Sequence, residues 1–135
     1  PSVVRFISYE PALGPVDIKW WLQKKFHGPG VLNGRAFVKS GYEKLDWVIV
    51  GGESGPGSRP CDVAWIRSVK DQCKAADVPV FIKQLGAKPV VSEVVFDTDR
   101  GIDGQNITAP IKLNDRKGGD WNEWPDDLKV REFPL

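Results

Sequence analysis

Three apolar runs in this chain stop at residues that could do chemistry. Glu10 follows VVRFISY, the loop Gly51-Gly52-Glu53-Ser54-Gly55 follows WVIV, and Lys83-Gln84 follows VPVFI. A carboxylate such as Glu10 or Glu53 accepts hydrogen bonds from hydroxyls or an amine, Ser54 donates to an oxygen, and Lys83 is a point charge opposite them. Arg59, just beyond the loop, carries a planar fork that matches a carboxylate or phosphate. Glycines let a ligand approach the main chain closely, and successive N–H groups in such a loop can cup an anion. The chemistry expected of the set Glu10, Gly51, Gly52, Glu53, Ser54, Gly55, Arg59, Lys83 and Gln84 is binding of a small ligand, with no residue expected to be catalytic.

Other chemistries are not supported. The glycine loop has no Gly-Lys-[Ser/Thr], and Gly55-Pro56-Gly57 is followed by Pro60 where a third glycine would belong, so neither nucleotide fingerprint is present. Cys61 and Cys73 are twelve positions apart. On one helix that is about 18 Å at 1.5 Å per residue, too far for a shared metal. Cys73 reads as a small core residue. His27, the single histidine, stands beside Gly28-Pro29, a loop setting that does not recommend it for a triad. Trp121 and Trp124 read as packing anchors, since no basic stripe surrounds them as base stacking would require.

The elements that must position these residues follow from pattern. Val3–Glu10, Leu45–Gly52 and Val78–Gly86 read as strands, apolar on both parities and so buried on both faces. Residues 16–26 read as a helix with Asp17 in its first turn. On such a helix Trp20 and Trp21 point about 100° apart, one to the core and one to the rim. His27–Gly34 is punctuation, and Arg35–Lys44 reads as a short helix. Residues 62–76 read as a helix starting at Cys61 or Asp62, because Trp65, Ile66, Val69, Cys73 and Ala76 recur at three- and four-residue spacing. Strand, helix, strand is a βαβ unit with parallel pairing, and ligands sit at the carboxyl ends of such strands. Val90–Phe96 and Ile107–Leu113 read as a hairpin joined by DTDRGIDGQN, with Pro110 marking an edge strand.

Length and composition bound the rest. With 135 residues, one domain is expected, divided into a βαβαβ part at 1–86 and a hairpin with a turn-rich tail at 87–135. The net charge of +1 gives no global field for nucleic acid. The apolar runs are far below the roughly 20 residues of a membrane span. With two cysteines no disulfide framework is expected, and a cytoplasmic location is the expectation.

The blocks FISYEPALGPVD, LDWVIVGGESGPGSRP, WIRSVKDQCKAADVP, VFIKQLG and GGDWNEWP resemble, in that order, the C-terminal half of a phage-associated family that looks like radical S-adenosylmethionine enzymes. The resemblance covers most of the chain and is weakest over 26–44 and 88–106. It implies a fold: the last three strands and helices of a (β/α) barrel, with Glu10, the Gly51–Gly55 loop and Lys83-Gln84 on the barrel mouth. Full-length members carry a three-cysteine cluster that binds an iron–sulfur centre. This chain has two cysteines at the wrong spacing, so no cofactor and no radical chemistry are expected of it alone. The fold class expected is therefore α/β, a partial barrel-like parallel sheet of about three strands with flanking helices and a C-terminal hairpin. Such a sheet leaves open edges. Self-association into a homodimer is the expected cover, with the hairpin as a second cover and the exposed member of Trp20 and Trp21, Phe26, Val91, Val94 and Val95 as contact candidates. The expected function is a non-catalytic assembly protein. A small-anion or adenosyl-ligand module, and one half of a two-chain enzyme with an N-terminal half-barrel companion, are the alternatives.

Overall fold

Trp47-Val48-Ile49-Val50 has the composition of a central strand, and it occupies the centre of the sheet. The computed structural model describes residues 3–23, 30–32, 35–37 and 43–135. In chain order the strands are β1 (Phe6–Tyr9), β2 (Gly30–Leu32), β3 (Arg35–Phe37), β4 (Trp47–Gly51) and β5 (Cys61–Asp62). Helix α1 (Val63–Ala75) follows, then β6 (Val80–Gln84), β7 (Pro89–Asp97) and β8 (Ile102–Pro110). Two short 3-10 turns, Trp121–Glu123 and Asp126–Leu128, lie beyond. The main sheet has the order β1-β4-β6, all parallel, with Phe6 opposite Trp47 and Val48 opposite Val80. This is the three-stranded parallel α/β arrangement expected.

Strand periodicity of two sorts the side chains. Val48, Val50, Val80 and Ile82 are buried on one face, where they meet Val63, Ile66, Val69 and Cys73 of α1. Full burial of each such aliphatic side chain is worth roughly 1.5–3 kcal/mol. Helix α1 starts where Asp62 caps it, its carboxylate accepting from the Ala64 N–H at 2.9 Å. That arrangement removes one orphan donor of the first turn. Ile18, Leu22 and Leu128 join the same core.

The helix expected over residues 16–26 is not formed. Residues 19–22 are turns, with only the Trp21 N–H to Ile18 C=O and Leu22 N–H to Lys19 C=O bonds in place of a helical ladder. Residues 24–26 lie outside the described residues. The physical reason is competition from α1. The Gln72 amide donates to the Val16 carbonyl and accepts from the Ile18 N–H, both at 2.8 Å. Asp17 accepts from the Lys19 N–H, a side-chain turn that displaces helix. Consequently Ile18 and Leu22 point inward, while Trp20 and Trp21 are both about half exposed, at 53% and 54%. The expected split of the two tryptophans between core and rim is thereby corrected.

The short helix expected at Arg35–Lys44 is also corrected over its described part. Residues 35–37 form β3, antiparallel to β2, so the expected punctuation at 27–34 contains a strand as well. Residues 27–29, 33–34 and 38–42 lie outside the described residues. The C-terminal hairpin is present, but its strands run Pro89–Asp97 and Ile102–Pro110, leaving a shorter turn than expected. β8 is an outer strand of the sheet β5-β7-β8, as Pro110 requires. That sheet is separate from the parallel one, so the hairpin does not cover an edge of β1-β4-β6. The tail does: the Ile82 N–H donates to the Val130 carbonyl at 3.0 Å and the Glu132 N–H to the Val80 carbonyl at 2.9 Å.

Removing the Gln72 clamp tests this account of residues 16–22. Gln72→Leu leaves a half-buried carbonyl and N–H without their partner, and should cost about 2 kcal/mol in urea unfolding, with the denaturant slope unchanged.

Candidate functional site

The strand ends come together at one edge, as parallel pairing dictates. Glu10, immediately after β1, lays its carboxylate beside β4. A Cβ on Gly51 would stand 3.0 Å from the Glu10 Oε1, so the lack of a side chain at 51 makes the space that Glu10 occupies. The Ser8 hydroxyl donates to Glu10 Oε2 at 2.9 Å, and Lys83 Nζ lies 3.5 Å from Oε1. The Lys83 side chain is 56% exposed against 23% for Glu10. The pair is therefore screened by water and contributes little to stability. It presents a held carboxylate and an exposed ammonium at the carboxyl end of the strands.

Gln84 and Gly52 are consumed by the fold. The Gln84 amide donates to the Gly52 carbonyl, and the Gly52 N–H donates to the Gln84 carbonyl, both at 3.0 Å. A Cβ on Gly52 would meet the Leu85 carbonyl oxygen at 2.2 Å, so backbone passes directly over backbone here. The far side of this crossing is closed by Gly118, whose carbonyl accepts from the Leu85 N–H at 2.9 Å and where a Cβ would sit 2.3 Å from the Gly86 carbonyl oxygen.

Glu53 and Arg59 satisfy each other. The Arg59 guanidinium makes two bonds to the Glu53 carboxylate, at 2.9 and 3.0 Å, and the Arg59 N–H adds a third at 2.9 Å. These hydrogen bonds hold the Glu53 carboxyl down at about 2, against an ordinary value of 4.5. The Glu53 carbonyl accepts from the Ala87 N–H at 2.8 Å. Between the two residues the loop is tightened by the Ser58 hydroxyl, which donates to the Gly55 carbonyl. Arg59 thus spends its fork on Glu53, whereas the sequence reading gave both to a ligand. Ser54 is half-buried and Gly55 is exposed at the loop tip.

The structure accordingly splits the expected set. Glu10 and Lys83 form one cluster beside the buried Gly51, and Gly52, Glu53 and Arg59, tied to Gln84 of β6, build the loop that flanks it. Residues that sequence reasoning missed are Ser8, which orients Glu10, and Arg131, whose guanidinium donates to the Ile82, Lys83 and Gly119 carbonyls and lies 5.0 Å from the Trp124 ring centroid. Ser8 had a signal, because strand period two puts it on the same face as Glu10. Arg131 had none, standing in a stretch with no periodicity. Both cysteines are buried, and burial pushes each thiol up to about 12, so they are unreactive near neutral pH.

The sign of the Glu53 effect is fixed by linkage. A carboxyl whose folded value is depressed stabilises the folded state above its unfolded value, and that contribution is lost as pH falls through the folded value. Between about pH 4.5 and about 2 the wild type should lose stability more steeply than Glu53→Gln, measured by urea unfolding at stepped pH. Equal slopes would mean that the pair does not hold the loop.

Comparison with known proteins adds one finding. No curated protein and no solved structure matches the chain. A family described as a protein of unknown function, DUF5131, matches residues 1–116, which include every strand named above and the whole of the strand-end cluster. This chain is a member of the DUF5131 family.

Proposed function

We propose that this chain acts by assembly. It is read as a non-catalytic remnant of a radical S-adenosylmethionine-like, phage-associated barrel that pairs with a second copy of itself. The observation that carries this is the second face of the parallel sheet. Phe6, Ser8, Trp47, Ile49, Phe81 and Lys83 alternate with the buried residues and lie opposite α1. Among the described residues this face receives only the end of the tail. Phe133 packs on Trp47 and Phe81, with ring centroids 5.8 and 5.3 Å apart, and is itself 64% exposed, while Phe6 is 55% exposed. Parallel sheets are ordinarily covered on both faces, and a contiguous exposed apolar patch of this kind marks a contact surface. A two-fold contact lets one patch serve both copies.

Light scattering at low micromolar concentration should give twice the chain mass of 15.0 kDa. Phe6→Lys should give a folded monomer, because it puts a charge into the exposed apolar patch that the contact would bury. A wild-type chain that is folded and runs at 15.0 kDa would end the assembly reading.

A second reading rests on the Glu10–Lys83 pair. The held carboxylate, the exposed ammonium and the space over Gly51 make a small polar station at the strand ends, where parallel α/β sheets bind ligands. The ligand class is a small anion or an adenosyl compound carrying an amine. Millimolar S-adenosylmethionine or phosphate should raise the melting temperature by mass action, and Lys83→Ala should remove the rise for phosphate. Flat melting curves with both compounds would retire this reading.

A further inference from the structure

The pairing of β4 with β6 is regular as far as Val50 opposite Ile82 and then slips, so that Gly51 stands opposite Gln84. Lys83 is the extra residue, a bulge with no register partner on β4. The Gly52 N–H goes to the Gln84 carbonyl at 3.0 Å, one residue beyond it. A bulge bends its strand and re-aims the side chain at the extra position. Here that side chain carries the ammonium of the strand-end station, 3.5 Å from the Glu10 carboxylate.

A main-chain carbonyl released from a ladder needs another donor. The one at Lys83 finds it outside the parallel sheet, in Arg131 Nη2 at 3.0 Å. The same guanidinium donates through Nε to the Ile82 carbonyl at 3.1 Å and through Nη2 to the Gly119 carbonyl at 3.3 Å. Two consecutive carbonyls at the slip are thus held by one rigid plane. That plane is itself fixed among rings, with the guanidinium carbon 5.5 Å from the Phe81 centroid, 5.7 Å from that of Trp121 and 5.0 Å from that of Trp124. All three lie inside the roughly 6 Å reach of cation–π attraction. Two residues past Lys83, the Leu85 N–H donates to the Gly118 carbonyl at 2.9 Å. The tail therefore grips β6 at the bulge and again just beyond it. A lysine at position 131 could keep the charge over the rings, but it has no planar fork to span two carbonyls.

We propose that Arg131 is the positioning residue of the strand-end station: its fork holds the bulge at Lys83 in the shape that sets the ammonium beside Glu10. The inference rests on the anion-binding reading of the Glu10–Lys83 pair, and it adds that an anion there is recognised only while the tail is in place.

The test uses Arg131→Met, which removes fork and charge, and Arg131→Lys, which removes the fork alone. The second decides the matter if circular dichroism shows that the first does not fold. Two quantities are read on each, the ¹³C resonance of the Glu10 carboxyl without ligand and the affinity for inorganic phosphate by calorimetry. Both variants should move the Glu10 resonance in the direction in which Lys83→Ala moves it. Both should weaken phosphate binding about tenfold, the loss of one charge-assisted bond. Lys83→Ala combined with either should bind no more weakly than Lys83→Ala alone, because residues that act through one another are not additive. Folded variants that keep the wild-type resonance and affinity overturn the proposal. An Arg131→Lys chain that behaves as wild type also overturns it, since charge and stacking then suffice without the fork. Losses that add to that of Lys83→Ala overturn it as well, because the two residues then act separately. A wild type that does not bind phosphate, with the Glu10 resonance moving as expected in the variants, upholds the positioning and ends the anion reading.

Discussion

A parallel sheet has two faces, ordinarily both covered, and two edges that must be paired, covered or otherwise protected. Nearly every feature of this chain follows from how that requirement is met. α1 and residues 16–22 cover one face through Ile66, Val69, Cys73, Ile18 and Leu22. Val130–Glu132 covers the β6 edge. Among the described residues nothing pairs with the free side of β1, and that side adjoins the remaining face at the exposed Phe6. The proposed assembly is the continuation of the same requirement beyond a single chain.

The polar residues at the strand ends divide along the same line. Those next to the backbone crossing at Gly52 and Gly118 are spent on structure, and the Glu53–Arg59 pair ties the loop back on itself. Those on the open face, Glu10 and Lys83, are held by one serine hydroxyl and one water-screened ion pair. A charge in a screened pair can exchange its partner at small cost. The polar station and the apolar patch therefore share a face, with the polar part at the carboxyl end of the strands and the aromatic part toward their amino ends.

Much of this was legible in the residues. The three parallel strands announced themselves as apolar runs, and α1 by its three- and four-residue spacing and the Asp62 cap. The meeting of Glu10 with Lys83 followed from parallel pairing. The failures have physical causes. Residues 16–22 carry a helical pattern, and no local signal tells that Gln72, more than fifty positions away, will take their backbone groups. β2 and β3 did have a signal, since Asn33-Gly34 between Leu32 and Arg35 is a hairpin dipeptide that was read only as a break. The covering role of Val130–Glu132 was hidden because an isolated bridge within a turn-rich tail has no periodicity to detect. The pairing of Glu53 with Arg59 was hidden because two charges six residues apart in a loop are as well placed for a ligand as for each other.

The crossing at Gly52 and Gly118 has a consequence for how this sequence can change over time. At each position the space for even one methyl group is filled by a carbonyl oxygen from another part of the chain, Leu85 in one case and Gly86 in the other. Neither obstacle is a side chain that a compensating substitution could trim. Relief would require the main chain of three distant segments to move at once. A substitution at either glycine therefore forces main chain to shift and should be strongly destabilising. The exposed hairpin strand at residues 103–110 has no such main-chain obstacle, and its one conformational limit of this kind is the positive φ of 70° at Gly104.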